Sequence, residues 1–206
     1  MEYYLKALEL REESEDGRAL IYIYSGIGSI YRYQNNYELA LESFNNCLSI
    51  SEELDLKNEI AYSKYNIGLV HDDLQDYEKA LSYFQESLEI RRAINEKNGM
   101  ASSEEALGET YSTLGDYEKA LHHHLEALAI ATEIDNKWSV ISALISIGNI
   151  YTKTGQYGKV LQYLDRAMEM AMEINSRTLT KRSYINLSVY YEAIDAYESA
   201  LDLSLI

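Results

Sequence analysis

Small and bulky apolar residues return at separations of three, four, seven and eight along the stretch that opens at Tyr37: Ala40, Phe44, Cys47 and Leu48. These separations place one stripe on one face of an α-helix. The stripe recurs every 40 residues, as Tyr77, Ala80, Phe84, Ser87 and Leu88, then Tyr117, Ala120, His124, Ala127 and Leu128, then Tyr157, Val160, Leu164, Ala167 and Met168. Tyr197 and Ala200 open a fifth copy, and Asp-Tyr-Glu-Lys-Ala-Leu is identical at 76–81 and 116–121. A fixed period of this length is the signature of a repeat array.

A second periodic set precedes each stripe. Gly28, Gly68, Gly108 and Gly148 stand 40 apart, with Ser188 as the fifth member, each following an aliphatic residue. Three positions on comes a ring: Tyr31, His71, Tyr111, Tyr151 and Tyr191. Glycine inside a helix costs about 1 kcal/mol against alanine, so its recurrence predicts close approach of a neighbouring helix. Asp55, Asn95, Asp135 and Asn175 mark the turns between units, where they tolerate left-handed backbone and replace the proline this chain lacks altogether.

The order Leu/Ile-Gly-x-x-Tyr, Gly/Asp-Tyr, Ala-x-x-x-Phe resembles the tetratricopeptide repeat over essentially the whole chain. Two features depart from that pattern. The period is 40 rather than 34, and the usual tryptophan slot of the first helix holds Tyr24, Lys64, Glu104, Leu144 and Tyr184. Units of this length resemble those of kinesin light chains, Pins-type scaffolds and the sensor halves of bacterial regulators. The resemblance implies an all-α, right-handed superhelical solenoid of antiparallel helix pairs. It would form a single array over 1–206, with complete repeats at 18–54, 58–94, 98–134 and 138–174. Residues 1–16 are expected to form an orphan second helix and 178–206 a truncated repeat. Neither end carries the polar cap typical of solenoids, which predicts a fragment of a longer protein whose ends could self-associate.

Composition narrows the function. The net charge of −16 argues against nucleic acid and an anionic membrane surface as partners, since both are held by clustered cations. No apolar run approaches the ~18 residues of a membrane span, and no leader is visible, so the cytoplasm is the expected location. Gly26-Ile-Gly28 lacks the third glycine of a phosphate loop. His122, His123 and His124 point about 100° apart on a helix and cannot converge on one metal; His124 should face inward and the other two solvent. His71-Asp72-Asp73 invites a metal reading, but His71 stands at a packing-ring position. Cys47 takes a buried small-residue slot. No catalytic constellation, cofactor motif or metal site emerges, and an enzyme is not expected.

The resemblance implies that the first helix of each repeat lines a concave face that binds protein or peptide. On that face the register places Tyr22, Tyr33, Tyr62 and Tyr65 as a tyrosine-rich stretch, with Asn66 and Leu69 between. Asp72, Asp73, Glu105 and Glu109 form a carboxylate cluster that would suit a partner with a basic segment. Asn149, Lys153, Arg182 and Asn186 are the candidates for a clamp on a C-terminal carboxylate. A groove acidic toward its N-terminal half and mildly basic toward the other end follows. Two other readings compete with the scaffold: the sensor half of a larger signalling protein, and a self-associating structural array.

Overall fold

A computed structural model describes residues 17–204, with side chains described through residue 195; the expected orphan helix at 1–16 lies outside the described residues. Among these there are nine α-helices and no strand: α1 Gly17–Tyr33, α2 Tyr37–Glu53, α3 Lys57–Asp73, α4 Tyr77–Ala93, α5 Lys97–Thr113, α6 Tyr117–Glu133, α7 Lys137–Lys153, α8 Val160–Glu173 and α9 Arg177–Ser204, with a short 3₁₀ turn Tyr157–Lys159 leading into α8. Helix packing divides the chain into two compact units, 1–110 and 111–206. Each is a stack of antiparallel helix pairs.

The period is set by the turns. Helices α1 to α7 each have 17 residues, and three-residue turns separate them. The middle turn residue always has positive φ: Asn35, Asp55, Gln75, Asn95, Gly115, Asp135, Gly155 and Asn175. Around it two backbone bonds close each helix, as in Asp76 N–H to His71 O at 2.8 Å and Gln75 N–H to Asp72 O at 2.9 Å. This is the Schellman closure, and it stops the helix without proline. At three of the turns the following residue caps the next α-helix through its side chain: Asp76 accepts from Lys79 N, Asp116 from Lys119 N and Asn136 from Ser139 N.

Gln75 is the outlier of the set, a long side chain at φ 61° where the later repeats have Gly115 and Gly155. A left-handed non-glycine residue costs about 1–2 kcal/mol, partly offset by the extra unfolded freedom of glycine. Gln75→Gly is therefore expected to raise unfolding free energy by about 0.5–1 kcal/mol in a urea titration, with an unchanged m-value.

The turn expected before Tyr197 does not form. Helix α9 runs unbroken from Arg177 to Ser204. Ala196 stands at the capping position that holds Asn36, Asp76, Asp116 and Gln156 in earlier repeats, and alanine is a poor cap and the best helix former.

In unit 1 the recurring glycines face rings. A Cβ on Gly28 would stand 2.8 Å from Phe44 Cε1, and one on Gly68 2.7 Å from Phe84 Cδ1. In unit 2 a Cβ on Gly148 would meet Leu164 Cγ at 2.7 Å. Each glycine is thus the socket for the bulky residue of the paired helix. Phe44, Phe84 and Leu164 are fully buried, together with the small residues Ala40, Ala80, Val160 and Ala167. Cys47 is buried, its thiol donating to Ile21 O at 3.2 Å, and burial pushes its pKa up to about 12. Ser87 repeats that bond, donating to Ala61 O at 2.7 Å.

The charged residues at the tryptophan slot are answered from α4. Lys64 Nζ pairs with Glu86 Oε2 at 2.7 Å, and Arg92 Nη2 with the buried Glu104 carboxylate at 2.7 Å.

Candidate functional site

In unit 1, helices α1, α3 and α5 lie side by side and exchange polar contacts. Ser25 Oγ donates to the Tyr62 hydroxyl at 3.3 Å. Arg32 donates to Asp73 through Nε at 2.6 Å and Nη2 at 3.3 Å. Thr110 Oγ1 donates to Asp72 Oδ1 at 2.9 Å. The carboxylate cluster is therefore answered in part by the chain itself: Arg32 takes Asp73, and Thr110 takes Asp72. Burial, and then the Asp73 charge, nevertheless raise the Asp72 pKa against the Thr110 bond.

The tyrosines divide into two kinds. Tyr22 and Tyr33 are 69% and 89% exposed, and Tyr62 is exposed as well. Tyr65 instead turns inward: its ring meets Phe84 at 5.6 Å between centroids. Burial, then the Glu105 charge, pushes its phenol pKa up, with Glu109 adding to the effect. Leu69 packs on the same buried cluster of Ala80, Phe84 and Leu88. Asn66 is buried and donates to Tyr62 O at 2.8 Å. Tyr65, Leu69 and the Asn66 donor thus take part in packing, while Tyr65 also lines one cavity of this face and Asn66 another. The reason is rotation: residues three and four before Leu69 lie at the edge of the stripe set by Ile67 and Gly68, and Phe84 is long enough to reach them.

Two adjoining cavities cross this face. One, about 300 Å³, lies between α1 and α3 and is lined by Ile21, Tyr22, Ser25, Asn58, Glu59 and Tyr62. The other, about 410 Å³, continues from Asn58 and Tyr62 to Asn98, Gly99 and Ser102 of α5, with Arg91 of α4 at its floor. A third, about 390 Å³, sits over the Arg32–Asp73 pair beside Ser29, Tyr33 and Asn66.

Arg91 is the cavity residue that the sequence pattern did not single out. It occupies the slot held by Ser51, Ala131 and Ala171 in the other second helices, yet is only 5% exposed. Its room comes from Gly99, where the other repeats carry Glu59, Ser139 and Leu179: a Cβ there would stand 2.6 Å from Arg91 Cδ and would clash with Nε. That paired departure from the repeat was the available signal.

In unit 2 the clamp candidates do not converge. Arg182 Nη1 reaches Ser142 Oγ at 3.4 Å, which fixes the register of α9 against α7. Lys153, eleven residues further along α7, is then about 16 Å from that level at 1.5 Å rise. Its ammonium lies 5.9 Å from the Tyr117 ring centroid, and Asn186 donates to Arg182 O at 2.9 Å. Asn149 is half-buried.

Three of the four histidines, His71, His123 and His124, are engaged in packing. His124 is 1% exposed and its Nδ1 has no hydrogen-bond partner; burial, with the neighbouring His123, lowers its pKa to about 4. His123, expected in solvent, stacks on Tyr111 at 5.4 Å. His71 stacks on Tyr83 at 5.6 Å, with Nδ1 3.6 Å from Asp76 Oδ2. Among the described residues no group of three or more His, Cys, Asp or Glu side chains could hold a metal ion, and no helix is long and apolar enough to cross a membrane.

Comparison with known proteins places these helices. Tetratricopeptide repeat models match residues 59–133 and 139–204, and a second such model matches 21–54. No curated protein matches the chain in sequence. Among solved structures, a Rap protein complexed with competence and sporulation factor superposes with a TM-score of 0.81 at 24% identity, over 96% of this chain and 58% of its own. Aspartyl phosphate phosphatase F from Bacillus subtilis gives 0.87 at 19% identity, over 98% and 55%. A signal transduction ATPase of Pyrococcus horikoshii with a tetratricopeptide repeat sensor gives 0.78 at 24%, over 92% and 29%. The chain thus spans little more than half of the first two structures, and the likeness at these identities is one of fold.

Proposed function

The chain belongs to the tetratricopeptide repeat family, and from that premise we propose that it is a binding module that holds an extended peptide along the first helices of unit 1. The observation that carries this reading is the continuity of the two cavities through Asn58 and Tyr62. They cross three first helices, and packed helices lie about 8–10 Å apart. The lane is then about 20 Å long and accommodates about six residues at 3.3 Å each. Its lining of tyrosine, asparagine and serine suits such a ligand, because tyrosine offers area and a hydroxyl at low entropic cost while the amides adapt to a peptide backbone. Binding rather than catalysis is the role this lining supports. The Rap protein, whose structure holds competence and sporulation factor, is consistent with a ligand-carrying array of this kind.

The test is selection from a randomised peptide display library of about seven residues, followed by calorimetry. Tyr62 joins both cavities, so Tyr62→Ala is expected to weaken selected peptides about thirtyfold, a hot-spot effect. Equal affinity for wild type and variant would remove the lane from consideration.

A second reading concerns context. The Pyrococcus ATPase, described as carrying a tetratricopeptide repeat sensor, aligns with 92% of this chain over 29% of its own. This supports a sensing role within a larger signalling protein, with the same groove as receptor.

A further inference from the structure

Arg91 has no packing reason to be an arginine. Serine or alanine fills its slot in the other second helices, and burying a guanidinium costs free energy unless its donors are met. Only part of it is met here. Nη1 donates to Gly99 O at 2.6 Å and Ser103 Oγ at 2.9 Å, and the Tyr65 ring covers one face at 5.0 Å. Nε has no hydrogen-bond partner. The nearest carboxylate oxygen, Glu96 Oε2, stands 3.9 Å away, held by the Gly99 N–H at 2.8 Å. The pair is close enough to attract and too far to bond.

Building on the peptide-binding reading above, we propose that the Arg91 guanidinium receives a carboxylate of the bound peptide in the cavity between α3 and α5. Carboxylate is the chemistry that fits a guanidinium edge with one bonding side already committed: it accepts two parallel N–H bonds in the plane of the fork. Asn58, Asn98 and Ser102 line the same cavity and supply neutral donors around the anion. A dianion such as phosphate fits poorly, because Arg91 is the only cation among the described lining residues and Glu96 lies beside it. Glu96 holds the place loosely, and the ligand carboxylate takes it over. The inference reverses the polarity expected from the sequence, in which this half of the groove favours a basic partner.

Peptides selected as above are resynthesised as free acid, as C-terminal amide, and with Glu→Gln or Asp→Asn replacements, then titrated by calorimetry into wild type, Arg91→Met and Glu96→Gln. Neutralising one carboxylate is expected to weaken wild-type binding about tenfold to a hundredfold. Which replacement does so tells a terminal from a side-chain source. In Arg91→Met that penalty should fall to about threefold or less. Glu96→Gln retains an acceptor for Gly99 N–H and frees the guanidinium, so it should bind the acidic peptides more tightly, whatever Arg91→Met does to folding. Peptides that bind wild type equally in acid and neutral forms would overturn the carboxylate assignment and leave the peptide-binding reading intact. So would an undiminished penalty in Arg91→Met, or unchanged affinity in Glu96→Gln. Selection that yields no binder at all would overturn both.

Discussion

Phe84→Ala is expected to lower the unfolding free energy of the chain by about 3–5 kcal/mol. The ring is fully buried against Ala80, Leu88, Ala106 and Leu107, and alanine there loses both the transfer energy of the ring and the contacts around the hole. A socket explains why the slot tolerates so large a side chain: Gly68 leaves the space where two Phe84 carbons would lie 2.7 Å from a Cβ. This gives the substitution a partner with a change of sign. In wild type, Gly68→Ala gains about 1 kcal/mol of helix propensity and loses about 1–3 kcal/mol to overpacking, so it destabilises. In the Phe84→Ala background the clash is gone and the propensity gain remains, so the same substitution stabilises. Chemical denaturation of the four proteins measures the cycle. Gly68→Ala destabilising equally in both backgrounds would show that the glycine serves something other than the ring.

Acidification from pH 7 to 4 is expected to remove about 3 kcal/mol through His124 alone. Its folded pKa is about 4 against an ordinary 6.5, so the unfolded chain takes the proton first as pH falls. The stability is fully present above pH 6.5 and is lost progressively down to pH 4, below which both states are protonated. His124→Leu, which installs the residue found at the matching Leu164, should flatten this part of the profile. It should also stabilise the protein at pH 7, because the unpartnered Nδ1 is removed from the core. The capping carboxyls Asp76 and Asp116, held below the usual range by Lys79 and Lys119, lose their contribution toward and below pH 4. They do so equally in both proteins and cancel in the difference. Parallel profiles for wild type and His124→Leu would exclude His124 as the source.

Much of the fold was legible because its causes are local. Helix faces follow from the spacing of Ala80, Phe84 and Leu88, and the left-handed turns from Asp55, Asn95, Asp135 and Asn175. Gln75 escaped notice because a glutamine carries no left-handed preference; the Schellman bonds on either side impose it. The site was less legible. Asp73 reads as a groove anion until Arg32, 41 residues earlier, is found bonded to it. Tyr65 and Tyr62 differ by three positions and look alike, yet Phe84 draws one inward while the other stays exposed. Arg91 reads as a surface charge until Gly99 opens its space.

Local pattern was enough to reveal a repeat of helix pairs, its buried stripe and the helix ends as far as Asn175, though not the continuation of α9 through Ala196. Those properties depend on spacing and backbone preference within about twenty residues. Which polar residues satisfy one another, and which line the cavities, is set by contacts between helices. Burial and pairing of a charge depend on the size of side chains arriving from other helices, as the Arg91–Gly99 pair demonstrates, and no single position along the chain records that.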